Sequence, residues 1–199
     1  MPSESSATEQ TDESLMLRYS QGEMKAFEIL YDRHQMGCWR FIFRSVHIQE
    51  AADDILQDVW FAVARQAPSY QPIAKFRTWL FTIAHNAVVD HFRSAKDMIS
   101  LGAQTDTDDG STCERSAPEL IANSGFGPLR QLESREQALA LLTAIEQLPI
   151  EQREAFLLQA EADMSVTEIA DATGVSFETA KSRLRYARKR LRELLLEVA

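Results

Sequence analysis

Wherever apolar residues recur regularly in this chain, they recur at helical spacing. Phe27, Leu30, Tyr31, His34, Cys38 and Phe41 follow i, i+3, i+4, i+7, i+11 and i+14, one stripe of a long helix. Leu56, Val59, Trp60 and Val63 make a second stripe. Leu80, Ile83, Ala84, Ala87 and His91 form the inner face of a third helix, predicted from about Arg77 to Arg93. Ala138, Leu141, Leu142, Ile145 and Leu148 begin another, which Pro149 ends. No stretch sustains the period-2 alternation of a half-buried strand. With only 7 Gly and 6 Pro in 199 residues, and 45% hydrophobic content, the chain is expected to be all-α with a buried core.

The pattern breaks in two places and so divides the chain. Residues 1–13 carry Glu4, Glu9, Asp12 and Glu13 without a basic residue, the composition of a disordered acidic tail. A helical domain is expected over 14–95, interrupted by the loop APSYQPIAK (67–75) with its two prolines. Over 97–127 six acids face one base, Arg115, and four of the seven glycines fall there. A flexible acidic linker is expected over 96–133. A second helical domain then spans 134–199.

That second domain has a distinctive grammar. Ser165 and Glu168 have the spacing of a capping box. The short helix they open stops at Gly174, and Ser176 can cap a second helix running towards the C-terminus. Helix, tight turn, capped helix is a helix-turn-helix. Charge supports a DNA-binding role despite the formal net charge of −9. Residues 136–180 hold nine acids and one base, Arg153, whereas 181–192 hold seven bases and no acid. A solvated helix face would normally mix the two signs into i,i+4 pairs. A purely basic helix after a helix-turn-helix turn fits phosphate attraction instead.

Other chemistry finds little support. Asp54 and Asp58 share a helix face, as in Mg²⁺-dependent all-α synthases, but no second carboxylate cluster lies on a facing helix. His34, His47, His85 and His91 show no metal-binding spacing, and there is no nucleophile elbow or phosphate-cradling glycine loop. No catalytic residue, metal or cofactor is therefore expected. Cys38 and Cys113 form no C-x-x-C motif, and the start of the chain lacks the features of a signal peptide. A reduced, cytoplasmic protein without membrane insertion is expected. The aromatics Phe76, Trp79, Phe81 and Phe92 are interleaved with Lys75, Arg77, His85, Asn86 and Arg93. The inner stripe already fills one side of this helix, so some of these rings should be exposed, as single-stranded DNA binding requires.

Three blocks, AADDILQDVWFAVARQ, KFRTWLFTIAHNAVVDHFR and EIADATGVSFETAKSRLRYARKRLRE, resemble the extracytoplasmic-function sigma factors of bacterial RNA polymerase in order and spacing. The resemblance covers roughly 15–95 and 134–195. It implies an initiation factor that performs no chemistry, binds core RNA polymerase, and recognises promoter DNA as duplex and as melted single strand. Asp54, Gln57, Asp58 and Phe61 would dock on the polymerase. Lys75, Phe76, Arg77, Trp79, His85, Asn86, Asp90 and Arg93 would melt and read the minus-ten region, with the 67–75 loop capturing a flipped base. Ser176, Thr179, Lys181, Ser182, Arg183, Arg185 and Arg188 would contact the minus-thirty-five element. An anti-sigma factor is an expected partner. Trp60 stands where the family usually has Phe, and Tyr186 where a basic residue often precedes the Ala-Arg pair. The rival readings are a stand-alone helix-turn-helix regulator, which would dimerise on a palindrome, and the Mg²⁺-dependent synthase.

Overall fold

The computed structural model describes residues 10–100 and 128–196. Eight α-helices run in chain order: α1 (Asp12–Ser20), α2 (Met24–Val46), α3 (Gln49–Gln66), α4 (Phe76–Ser100), α5 (Pro128–Glu146), α6 (Ile150–Ala162), α7 (Val166–Thr173) and α8 (Phe177–Leu196). A single 3₁₀ turn, Ala67–Ser69, follows α3, with Pro68 inside it. No strand occurs among the described residues. Residues 1–9 and 101–127, including Cys113 and most of the expected tail and linker, lie outside the described residues.

The first helix corrects the expected tail. The chain is helical from Asp12, because Thr11 accepts the backbone N–H of Ser14 at 3.3 Å and Asp12 has tertiary partners. Its carboxylate meets Arg33 Nη1 and His34 Nε2, each at 2.7 Å. Burial pushes the Asp12 carboxyl up, but the hydrogen bonds and charges of His34 and Arg33 hold it below its ordinary value. Glu13 accepts the backbone N–H of Phe76 at 2.7 Å, one of the donors that a helix start leaves unpaired. So α1 straps α2 to α4. At its far end α4 runs to Ser100, beyond the expected limit at Arg93, and α5 begins at Pro128 rather than near Ser134.

Helices α1 to α4 pack around Leu15, Met16, Leu30, Phe41, Ile42, Phe76, Leu80 and Phe81, all fully buried. Each such side chain contributes about 1.5–3 kcal/mol when removed from water. Tyr19, Phe27, Tyr31 and Trp60 add an aromatic cluster with centroid distances from 4.8 to 6.3 Å. Cys38 lies inside this half, and burial pushes its thiol up to about 12, which leaves no reactive thiolate.

In the second half, Arg153 is buried and donates to the Glu146 carbonyl at 3.3 Å, satisfying an orphan acceptor at the end of α5. Asp163 ends α6 in the left-handed region, φ 53°, which Asp tolerates better than most residues. The capping box forms as expected: the Glu168 N–H donates to Ser165 Oγ at 3.3 Å and the Ser165 N–H to Glu168 Oε2 at 2.8 Å. Gly174 closes α7 at φ 67°, and Ser176 Oγ accepts the Thr179 N–H at 3.2 Å to start α8. Ala180, Leu184, Ala187, Leu191 and Leu194 of α8 are buried, one stripe at helical spacing.

The two halves touch. Helices α2 and α4 pack on α6, and α4 also packs on α7. Arg40 grips Glu161 with two parallel bonds, Nε to Oε1 at 3.0 Å and Nη2 to Oε2 at 2.7 Å. Arg44 lies 3.9 Å from the same carboxylate. His85 Nδ1 stands 2.8 Å from Glu154, Thr78 Oγ1 donates to Glu168 at 2.7 Å, and Lys75 lies 3.6 Å from Asp163. These contacts differ in weight. Lys75 and Asp163 are largely exposed, so their attraction is worth about 0–1 kcal/mol. Glu161 keeps only 13% of its side chain exposed, and a forked guanidinium–carboxylate pair shielded in this way is the stronger contact.

Candidate nucleic-acid interfaces

On α3, Asp54, Gln57, Asp58 and Phe61 are all exposed and share one stripe, at i, i+3, i+4 and i+7. Ile55, Val59 and Val63 face the core instead. Asp53 belongs to neither group, because its carboxylate accepts the Trp39 indole N–H at 2.7 Å. Like charges at i,i+4 cost a helix about 0.2–0.5 kcal/mol, so the Asp54–Asp58 pairing does not serve folding. Phe61, at 63% exposure, places a ring at the end of this acidic stripe.

Three faces divide α4. Leu80, Ala84 and Val88 are buried towards the first half. Thr78 and His85 turn towards the second half and are buried there, 7% exposed each. Trp79, Asn86, Asp90 and Arg93 share the remaining face, since seven, eleven and fourteen residues are close to whole numbers of turns. Asn86, Asp90 and Arg93 are exposed, and Arg93 pairs with Asp90 at 3.2 Å. Trp79 is half-buried.

The set expected to read the minus-ten region is therefore split by the fold. Phe76 is fully buried, under His34 with centroids 5.4 Å apart, and presents no ring to solvent. His85 is enclosed beside Glu154. Lys75 is exposed but faces Asp163, and Arg77 is exposed on a different side from Asn86. Phe81, one of the interleaved aromatics, is buried edge-on against Phe41 at 5.7 Å, whereas Phe92 is 49% exposed. Some of the four rings are thus exposed, as expected, but two helix sides are covered rather than one, which an inner stripe alone does not reveal.

The 67–75 loop, assigned by the resemblance only as a whole, supplies most of the residues around Trp79. Its ring stands with Gln66, Ser69, Tyr70, Gln71 and Ile73 around a recess of about 330 Å³. Ile73 is 88% exposed. The Tyr70 hydroxyl is buried and has no hydrogen-bond partner among the described residues, and burial together with nearby Glu13 and Asp12 pushes it up to about 12. The two prolines flanking Tyr70 were the available signal, since they hold the 67–75 loop in a fixed path.

On α8, Thr179, Lys181, Arg185 and Arg188 are exposed, while Ser182 and Arg183 are half-buried. Lys181, Arg185 and Arg188 lie on one flank of the buried stripe, and Arg183 with Arg190 lies on the other. Tyr186 has a definite role here: Arg185 lies over its ring at 4.9 Å and donates to its hydroxyl at 3.1 Å. Lys181 pairs loosely with Glu178 at 3.7 Å, and Arg190 with Glu193 at 3.7 Å. Arg188 reaches back to α6 and donates to Gln159 at 2.5 Å. The loose pairs are exposed and weak, so phosphate can displace them.

Residues 30–97 match Sigma-70 region 2 and residues 138–191 match Sigma-70 region 4. The chain is 33% identical to the RNA polymerase sigma factor CarQ of Myxococcus xanthus over 183 residues, covering 92% of this chain and 97% of that one. It is 31% identical to the ECF RNA polymerase sigma factor SigM of Mycobacterium tuberculosis, covering 94% and 86%. Two solved structures share the fold at 23% identity. CnrH in complex with the cytosolic domain of CnrY gives a TM-score of 0.60 over 94% of this chain and 99% of that one. The sigma factor RpoE of Bartonella quintana, in complex with the anti-sigma factor NepR, gives 0.63 over 86% and 97%. On the strength of both matched regions, in the same order and over nearly the whole length of the relatives, the chain belongs to the extracytoplasmic-function sigma factors of bacterial RNA polymerase.

Proposed function

We propose that this sigma factor divides its work among three surfaces. The exposed α3 stripe of Asp54, Gln57, Asp58 and Phe61 docks on core RNA polymerase. The α4 face of Trp79, Asn86, Asp90 and Arg93, with the recess beside Trp79, opens and reads the minus-ten region. The α8 residues Thr179, Lys181, Ser182 and Arg185 meet the minus-thirty-five element, with Ser176 setting the helix start and Arg183 and Arg188 holding phosphate. The observation that carries this reading is the separation of faces on α4. Core packing occupies two sides and leaves one, on which an aromatic ring and polar side chains line up. Stacking on such a ring suits any unpaired base.

Nucleotidyl transfer belongs to the polymerase, so the factor acts in the cytoplasm with that enzyme and supplies specificity. An anti-sigma protein is its expected regulator, in keeping with the partners of the two similar solved structures. Run-off transcription with purified core polymerase, with and without this protein, tests the assignment. A promoter-dependent transcript that needs the protein supports it. A dimer that binds a palindrome and adds nothing to core polymerase would favour a stand-alone regulator.

A further inference from the structure

The seam between the halves is electrostatically one-sided. Arg40, Arg44, Lys75 and His85 come from α2, α4 and the residue before α4, and Glu154, Glu161 and Asp163 come from α6 and its cap. Gly37 sits at the same seam, and a Cβ there would meet Glu161 Oε2 at 3.7 Å and the Phe81 ring at 3.8 Å. These are ordinary contact distances, so α2 approaches α6 closely there and leaves room for no more than a small side chain.

Closure has a geometric consequence. Helices α4 and α8 both pack on α6, and 13 residues of α-helix span only about 20 Å. Minus-ten and minus-thirty-five elements lie about 25 base pairs apart, on the order of 85 Å of duplex. The closed chain cannot reach both, so promoter engagement requires the seam to part. Opening removes the acids from Arg40, Arg44 and Lys75 and exposes those three cations.

We propose that Glu154, Glu161 and Asp163 act as an intramolecular substitute for phosphate, holding the chain closed over a cation row of Arg40, Arg44 and Lys75, with His85 beside it, that takes the DNA backbone once the halves separate. Carboxylate and phosphate compete for the same guanidinium geometry: the fork of Arg40 that grips Glu161 also fits two phosphate oxygens. Arg40 and Arg44 lie in none of the blocks that carried the family resemblance. Their assignment as a backbone-binding site is new and rests on the sigma-factor reading above.

The test uses the full chain and a short labelled duplex of arbitrary sequence, read by fluorescence anisotropy at several salt concentrations. Glu154→Gln with Glu161→Gln should raise affinity about tenfold and steepen the salt dependence by about two units, near 0.9 per phosphate engaged. Glu136→Gln with Glu151→Gln removes the same charge from exposed positions and should raise affinity much less. Adding Arg40→Gln and Arg44→Gln to the seam variant should cancel the gain while the basic α8 stays intact. Equal gains in the seam and control variants, or a gain that survives loss of both arginines, would overturn the proposal. Should the seam variant lose helicity, Asp163→Asn serves instead, because Asn tolerates the left-handed cap and still releases Lys75. Its expected gain is smaller, about one unit of salt slope, and no gain there counts against the proposal. Run-off transcription by the wild-type chain keeps the two readings apart: an active factor whose variants show no gain has no latch, while an inactive wild type means the sigma-factor reading itself is wrong.

Discussion

Trp79 stands edge-on to Tyr70 with ring centroids 5.0 Å apart, and Phe76 lies 5.8 Å behind it. This makes Trp79 a supported ring with one free side, a stacking platform on a rigid backing. Base–aromatic stacking is worth about 1–3 kcal/mol per base. Trp79→Ala should therefore slow open-complex formation far more than closed-complex formation, and a pre-melted template should restore activity. Permanganate footprinting of unpaired thymines, with and without a pre-formed bubble, is the measurement. Phe76→Ala should behave differently, losing about 3–5 kcal/mol of stability with no rescue by the bubble.

The acidic stripe of α3 separates folding from docking. Asp54→Lys with Asp58→Lys should leave helicity and thermal stability nearly unchanged, because exposed charges contribute about 0–1 kcal/mol. Co-purification with core polymerase should nonetheless fall sharply, since charge across an interface governs encounter and register. Unchanged co-purification would remove the stripe from the interface.

Two kinds of residue on α8 should respond differently to DNA sequence. Lys181→Ala and Arg185→Ala, near the start of the helix, should relax preference at particular minus-thirty-five positions by about 1–3 kcal/mol each. Arg190→Ala, further along and on the other flank, should weaken every sequence alike and lower the salt slope by about one. Competition with single-base promoter variants across a salt series distinguishes them. Tyr186→Phe should act with the first group, because it removes the hydroxyl that Arg185 donates to.

Acid should loosen the contact between the halves in a defined window. Burial pushes Glu168 up, but the Ser165 backbone and hydroxyl, together with the Thr78 hydroxyl, outweigh it and hold the carboxyl below its ordinary 4.5. A carboxyl lowered by folding contributes stability that is complete above its unfolded value and is lost as pH falls through the folded one. Thermal melts should thus be flat above about pH 5 and fall below about pH 4.5. Glu168→Gln keeps the reciprocal cap and should flatten part of that fall. An unchanged acid limb in the variant would assign the loss to other carboxylates, Asp12 foremost.

The helices were legible in sequence because each is written in one dominant stripe: Val59, Trp60 and Val63 in α3, or the Ser165–Glu168 box that opens α7. Their ends were less so. The start of α1 depends on Asp12 meeting Arg33 and His34, more than twenty residues away, and no local pattern contains that. Stripe analysis assigns a helix one inner side, whereas α4 has two. For that reason Phe81 and His85, which face away from the main stripe, could not be recognised as buried. Arg40 and Glu161 are 121 residues apart, and nothing near either in the chain marks the other as its partner.

Glu168 belongs at once to the cap of α7 and, through Thr78, to the neighbouring half. Exchange of the C-terminal half between relatives would therefore not be modular. A graft that keeps the recognition helix but changes the residue three places into α7, or the residue it meets on α4, would alter both the promoter-reading unit's own stability and its affinity for the rest of the protein. Swapped factors built at the linker should be matched at positions 78 and 168 as a pair.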